Sequence, residues 1–419
     1  MSDLALYLFD DAAARRWEPF ALTRPAGELL FGALTLRARI ERVLGVRCAS
    51  YLAAPHLVDF DEAGAPPVMP ATAVMRDHAR LFLSARAVPA WGARLPDLAG
   101  RDAGPVLMAG EVVGWYAPAG TDAHLDALLE DPATLDGDAP ELELEGRVLH
   151  HVWELIGENP EQVARDVAAL FPAPPEIPLP EGVHRLGAEP LVLGRDVRIE
   201  PGVVLDTRAG PIWLDEGVQV RAFTRLAGPA YVGAGSTILG GPLEAVSIGP
   251  VCKVRGEVAE SVLLGYANKA HDGHLGHAYL GRWVNLGAET TNSDLKNNYG
   301  HVRLWTPDGE RDTGTIKLGC LLGDHVKTGI GTLLNTGTVV GAGSNLYGAA
   351  MPPRYVPPFS WGSGAELVPY RLDKFLEVAE RAMARRDVEL TQKARRQLTA
   401  AWQRAHPEAL EGTPPGLAG

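Results

Sequence analysis

From about Leu193 onward, aliphatic residues recur at a step of six residues, and few architectures accept that period. Leu193, Ile199 and Leu205 share one register, while Leu214, Val220 and Leu226 share another, so short insertions separate the runs. The step continues through Val232 and Ile238, Ile248 and Val254, and Leu280 and Leu286. Ile316, Leu322, Thr328, Leu334, Val340 and Leu346 form the longest run, with glycine after Leu322, Thr328 and Val340. A helix repeats its apolar face every 3.6 residues and a strand every second residue, so neither alone explains the spacing. A three-sided solenoid does. Each face is a short strand with an inward aliphatic residue, each corner takes a glycine or another small turn former, and stacked coils bury the ladder.

The rest of the chain reads differently. An apolar run from Leu4 to Phe9 ends in Asp10 and Asp11, a helical pattern covers about 28–44, and Gly104 to Tyr116 reads as two strands. Asn159, Pro160 and Gln162 supply an N-cap, a first-turn proline and a capping-box partner for a helix ending at Leu170. The proline-rich FPAPPEIPLP, Phe171 to Pro180, stops that helix and stiffens a connector. After Trp361, Leu372, Phe375, Leu376, Ala379 and Met383 mark one helical stripe, and Leu390, Ala394, Leu398 and Ala401 a second. These patterns predict an α/β amino-terminal domain over 1–172, a linker over 173–190, a parallel β-helix of hexapeptide repeats over 191–362, and carboxy-terminal helices and tail over 363–419.

A net charge of −13 repels a phosphate backbone, which argues against nucleic-acid partners. No stretch approaches membrane-spanning length, and the first residues lack the basic start of a signal peptide, so a cytoplasmic protein is expected. Cys48, Cys252 and Cys320 lie far apart with no CxxC pair, so no cysteine metal site is expected.

The densest polar stretch runs from Lys269 to Lys296 between two clean coils. His271, His274 and His277 recur every third residue, and imidazole exchanges protons near neutral pH. Arg255 lies about one coil earlier, and Lys269, Asn285, Asn292 and Lys296 share the stretch, a set suited to a phosphorylated polar ligand. Three imidazoles also match a zinc shell, although spacing of three in one strand and corner points them apart. Asn292 to Thr315 breaks the repeat, with a hairpin-like turn at Pro307, Asp308 and Gly309.

The block from Ile248 to Leu346 resembles the acetyltransferase half of the bifunctional N-acetylglucosamine-1-phosphate uridyltransferase and glucosamine-1-phosphate acetyltransferase family. IGPVCKVRG, Ile248 to Gly256, is similar to the coil bearing a phosphate-binding arginine, matched by Arg255. HDGHLGHAYLGRWVNLGAETTN, His271 to Asn292, is similar to the catalytic stretch, with His271 seven residues before Ala278. VNLGAETTN matches Asn285 and Asn292 to sugar-binding positions. LGDHVKTG, Leu322 to Gly329, resembles the coil against which acetyl-CoA packs. His274 replaces a tyrosine that the family sets against the sugar, and Glu289 replaces a glycine. FALTRPAGELLFGALTLRARIE, Phe20 to Glu41, resembles a worn sugar-phosphate nucleotidyltransferase signature that keeps Thr23, Arg24 and Pro25. DDAAARRWEP stands in place of the glycine loop and Ala26 in place of the lysine, and no lysine occurs before Lys253. The chain is most similar to the shortened branch in which the nucleotidyltransferase half is reduced.

The resemblance implies a left-handed β-helix, a homotrimer and a Rossmann-like first domain. It implies acetyl transfer to an amino-sugar 1-phosphate, as in formation of UDP-N-acetylglucosamine. His271 is the expected base, with Arg255, Lys269, His274, Asn285, Asn292 and Lys296 against the substrate. Ala288, Thr328 and Gly329 are expected to meet acetyl-CoA, with an oxyanion donor near Ala288 or Gly329, and Thr23 and Arg24 to meet a nucleotide, with Mg2+ if that half is active. Two other readings stay open: a zinc enzyme resembling the gamma class of carbonic anhydrases, and a sugar-nucleotide-binding module without turnover.

Overall fold

The computed structural model describes residues 4–135, 140–174, 177–348 and 350–409. Positions 175 and 176 of the expected connector, and the expected tail from 410 onward, lie outside the described residues.

The first domain is built on a six-stranded sheet in the order Cys48–Leu52, Leu4–Phe9, Ala79–Ser84, Glu111–Ala117, Gly104–Met108, Leu142–Glu143. Its first three strands are parallel and the next two pairings antiparallel, so the sheet is mixed. The helix α1 spans Leu36–Leu44, shorter than the pattern suggested. Residues 30–35 instead form a small hairpin, because Gly32 adopts φ +70° and Thr35 caps α1 by accepting from the Ala38 N–H. The helix α2 spans Asn159–Leu170 as expected, but Asn159 does not cap it. Its Oδ1 accepts from the Gly32 N–H at 2.8 Å, and Gln162 bonds Asp166 and Arg147 rather than closing a capping box.

The solenoid has three parallel faces. One begins at His184–Leu186 and ends at Leu275–Gly276, a second runs from Leu191–Leu193 to Tyr355–Val356, and a third starts at Arg198–Ile199 and passes through Lys253–Val254 and Asn268–Lys269. Leu205, Leu214, Val220, Leu226, Val232, Ile238, Ile248, Val254, Leu280, Leu322 and Val340 are fully buried, as the six-residue step requires. Each such side chain contributes about 1.5–3 kcal/mol by leaving water. Ile316 departs from the expectation. It is 50% exposed, because the excursion from the repeat extends past it and the ladder resumes at Cys320–Leu322. Within the excursion, Arg303–Thr306 and Gly309–Asp312 pair as the expected hairpin.

Two further helices, α3 (Leu372–Ala384) and α4 (Gln392–Ala405), bury the expected stripes against Trp283, Phe359 and Leu22. No described helix is long and apolar enough to cross a membrane. The first domain also packs on the second solenoid face: Phe20, Phe31 and Leu36 share a core with Tyr231, Val262, Tyr279 and Leu321. The Tyr279 hydroxyl accepts from the Leu30 N–H and donates to the Leu30 carbonyl.

Candidate functional site

Around the histidine stretch successive coils are offset by 17 residues, which stacks Arg255 beside Asp272 just past the third-face strands and His277 beside Asp294 just past the last strand of the first face. The Arg255 Nε donates to Asp272 at 3.1 Å and its Nη1 to the Leu239 carbonyl at 3.1 Å. The guanidinium is half exposed, so that surface pair is weak enough for a phosphate to displace Asp272. Lys269 does not reach solvent. Its Nζ donates to the carbonyls of Arg255 and His271, 2.8 Å each, and fastens both to one corner. Burial pushes its pKa down to about 8, against the opposing pull of Asp272 and Glu289.

The three histidines occupy unlike surroundings. His277 is buried, with Nδ1 2.8 Å from Asp294 and Nε2 3.2 Å from Glu260. Burial works against its charge, but the hydrogen bonds to Asp294 and Glu260 outweigh it and raise the pKa to about 9. Asp294 also faces His274 and holds it above the ordinary imidazole value, opposed by burial and helped by Glu257 at 3.4 Å. Carboxylates therefore engage both rings, and His277 stays cationic near neutral pH. His271 is exposed, and among the described residues its ring meets no carboxylate at ion-pair distance. Of the three, it has the ring available as a base. Two carboxylates on opposite nitrogens suit an imidazolium and not a zinc ligand, and among the described residues no cluster of three His, Cys, Asp or Glu side chains is arranged for a metal.

The other expected residues divide. Asn285 is half-buried on the third face and accepts from the Asn268 amide at 2.9 Å. Asn292 is buried and its amide ties the Gly276 backbone in both directions, so it builds the corner. Lys296 donates to the His301 carbonyl inside the excursion. The Thr328 hydroxyl accepts from the Gly287 N–H and bonds Thr290. The Gly329 N–H donates to the Leu346 carbonyl at 2.7 Å and is not open to an oxyanion, whereas the Ala288 N–H stands outside the ladder among the described residues. Asp294, Glu257 and Glu260 were missed, although the 17-residue offset from His277 and His274 points to all three.

Thr23 and Arg24 lie in the joint between domains rather than in a nucleotide pocket. The Thr23 hydroxyl donates to Asp324 at 2.7 Å, and the Arg24 guanidinium bonds Asp324 and Glu62. Burial alone would raise Glu62, but Arg24 and Arg282 hold it below the ordinary carboxylate range. The acids after the first strand are also engaged. Asp10 is buried against the Ala26 N–H and raised to about 7 by desolvation, and Asp11 pairs with Arg86 at 2.7 Å. Neither fits the open, ionised oxygen set that Mg2+ requires.

Residues 6–171 match a family model described as sugar nucleotidyl transferase. Over that range the amino-terminal domain is similar to this family. A bifunctional sugar-1-phosphate nucleotidylyltransferase/acetyltransferase of Sulfurisphaera tokodaii is 31% identical over 100 residues, covering 24% of this chain and 25% of the relative. The chain thus matches about a quarter of that relative's length. Among solved structures, an Arabidopsis UDP-N-acetylglucosamine acyltransferase is 10% identical with a TM-score of 0.31, covering 54% of this chain and 91% of that one. The N-acyltransferase AntD of Bacillus cereus, in complex with an amino-sugar dTDP compound and coenzyme A, is 15% identical with a TM-score of 0.24, covering 46% and 91%.

Proposed function

We propose that the solenoid transfers an acetyl group from acetyl-CoA to the amine of an amino-sugar 1-phosphate. The observation that carries the reading is the corner where Lys269 fixes the backbones of Arg255 and His271 while carboxylates engage the rings of His274 and His277. Arg255 then exchanges Asp272 for the substrate phosphate, and Asn285 contacts the sugar hydroxyls. The amine attacks the thioester carbonyl, forming the C–N bond. His271 takes the ammonium proton, the C–S bond breaks, and the thiolate leaves as CoA after protonation, a role worth about 100-fold to 10,000-fold in rate.

Exposed Ile330 and Tyr347 flank Gly329 and support placing the acyl donor there, with homotrimeric association around it. The product is of the UDP-N-acetylglucosamine precursor type. The first domain serves as a docked, reduced nucleotidyltransferase module, because Thr23 and Arg24 hold the joint and the family's glycine loop and lysine are replaced. The test is CoA release from acetyl-CoA with glucosamine 1-phosphate, followed by UTP and detection of pyrophosphate. CoA without pyrophosphate supports both halves of the reading. Pyrophosphate release contradicts the reduced first domain, and stoichiometric zinc without CoA release favours the carbonic-anhydrase-like zinc enzyme.

A further inference from the structure

A polar cavity that shares Asn285 with the proposed acceptor site lies between the third solenoid face and α3, with a volume of about 320 Å³. One wall is a column of side chains on consecutive rungs, Lys253, Asn268, Asn285 and Lys327, which pair in register. The facing wall is the last turn of α3 and the two residues beyond its end, carrying Arg381, Arg385 and Arg386. Four cations and the partly desolvated Lys327 therefore converge on one space, and no carboxylate lines it. Arg381 shares Glu377 with Lys374 outside the cavity, while Lys253, Arg385 and Arg386 have no ion pair among the described residues. In a chain of net charge −13, such a gathering of cations, three of them without an ion pair among the described residues, opposes itself until an anion enters.

The end wall limits what that anion carries. Tyr266 and Trp283 stack on each other at 4.3 Å, and the Arg282 guanidinium covers the Tyr266 ring at 5.4 Å. The rings close the cavity instead of offering a face to a base. Lys327 is anchored, its Nζ donating to the carbonyls of Trp283 and His325 at 2.7 and 3.1 Å, and burial pulls its pKa down to about 7, so an entering anion draws it to the charged form. The Asn285 and Asn268 amides add neutral groups between the lysines. Charges on two opposed walls match an anion with two charged centres better than a single phosphate.

We propose that this cavity is a binding site for a diphosphate group, recognised by Lys253, Lys327, Arg381, Arg385 and Arg386 without recognition of an attached base. Free pyrophosphate and a nucleoside diphosphate both carry that group. The site stands whether or not the solenoid transfers an acyl group.

Calorimetric titration of the full chain with sodium pyrophosphate, UDP and sodium phosphate tests it. Pyrophosphate and UDP should bind within about threefold of each other, and orthophosphate at least about tenfold more weakly, since it engages one wall. The double variant Arg385→Ala, Arg386→Ala and, separately, Lys253→Ala should each weaken pyrophosphate at least about tenfold. None of the three side chains is buried, and an unchanged melting curve shows that the variants fold. Absence of pyrophosphate binding, or binding that both variants leave intact, overturns the site. UDP binding without pyrophosphate binding overturns the diphosphate assignment, because the base would then be recognised. Raising the salt concentration should weaken pyrophosphate binding in the native chain.

Discussion

Arg24 of the first domain and Asp324 of the solenoid form a buried ion pair, with Nε to carboxylate oxygen 2.9 Å apart and both side chains at most 3% exposed. Three elements meet there. Asp324 also accepts from the Thr23 hydroxyl and the Arg282 N–H, and Glu62 bonds Arg24 from a loop whose Asp59 and Asp61 hold α4 through Arg396 and Thr391. Arg24 thus fastens the first domain to the solenoid.

Asp324→Ala leaves the Arg24 charge with Glu62 alone in a dry interface. The account predicts a loss of about 3–5 kcal/mol, read as a lower denaturant midpoint, because removing one partner of a buried pair strands the other. A loss below about 1 kcal/mol would show that water enters the joint.

Arg255→Ala should raise the KM for the sugar phosphate at least about tenfold, corresponding to the loss of a charge-assisted hydrogen bond. The catalytic constant should change much less, since His271 stays anchored through Lys269. Steady-state kinetics over the sugar phosphate separates the two constants. An unchanged KM removes Arg255 from the phosphate site.

The His277 clamp makes stability depend on pH with a definite sign. Its folded pKa of about 9 exceeds the ordinary value near 6.5, so its contribution is complete below about pH 6.5 and disappears as pH rises through 9. The contribution is on the order of 3 kcal/mol. Asp294 has the opposite sign: its depressed pKa gives stability that is lost toward low pH. Denaturant melts at pH 6.5 and pH 10 should differ more for the native chain than for His277→Gln. Equal differences would show that the clamp is not charged.

Gly256 sits at φ +92°, and a Cβ there would lie 3.2 Å from the Lys269 Nζ and from the Asp272 Cα. Gly256→Ala should therefore cost about 1–3 kcal/mol and loosen the corner holding Arg255 and His271. Thermal unfolding and kcat measured together check both effects.

The sequence period exposes the solenoid because an inward aliphatic on each rung is a local demand, met at Leu205, Val254 or Leu322 without knowing its neighbours. Ile316 fits the same arithmetic and fails, since a period cannot say where an excursion rejoins the ladder. The histidines show the same limit. His271 and His277 are the same residue type six positions apart, and their difference comes from Asp294 and Glu260, one coil away on either side of His277. That 17-residue offset is visible in the sequence only once the coil length is known. Arg385 and Arg386 lie in a helical segment whose docking on the third face is a tertiary event, so nothing local announces their cavity. Thr23 and Arg24 are visible in the sequence as part of a motif-like stretch, but their partner Asp324 lies about 300 residues away, so the joint they form is a tertiary event.

The most direct test of the central claim is acetyl-CoA turnover with glucosamine 1-phosphate by the native chain and by His271→Ala, both confirmed folded by identical melting curves. The account predicts CoA release by the native chain and a loss of about 100-fold or more in the variant. CoA release at the same rate in both would contradict His271 as the base, and no release by the native chain would contradict acetyl transfer to that sugar phosphate.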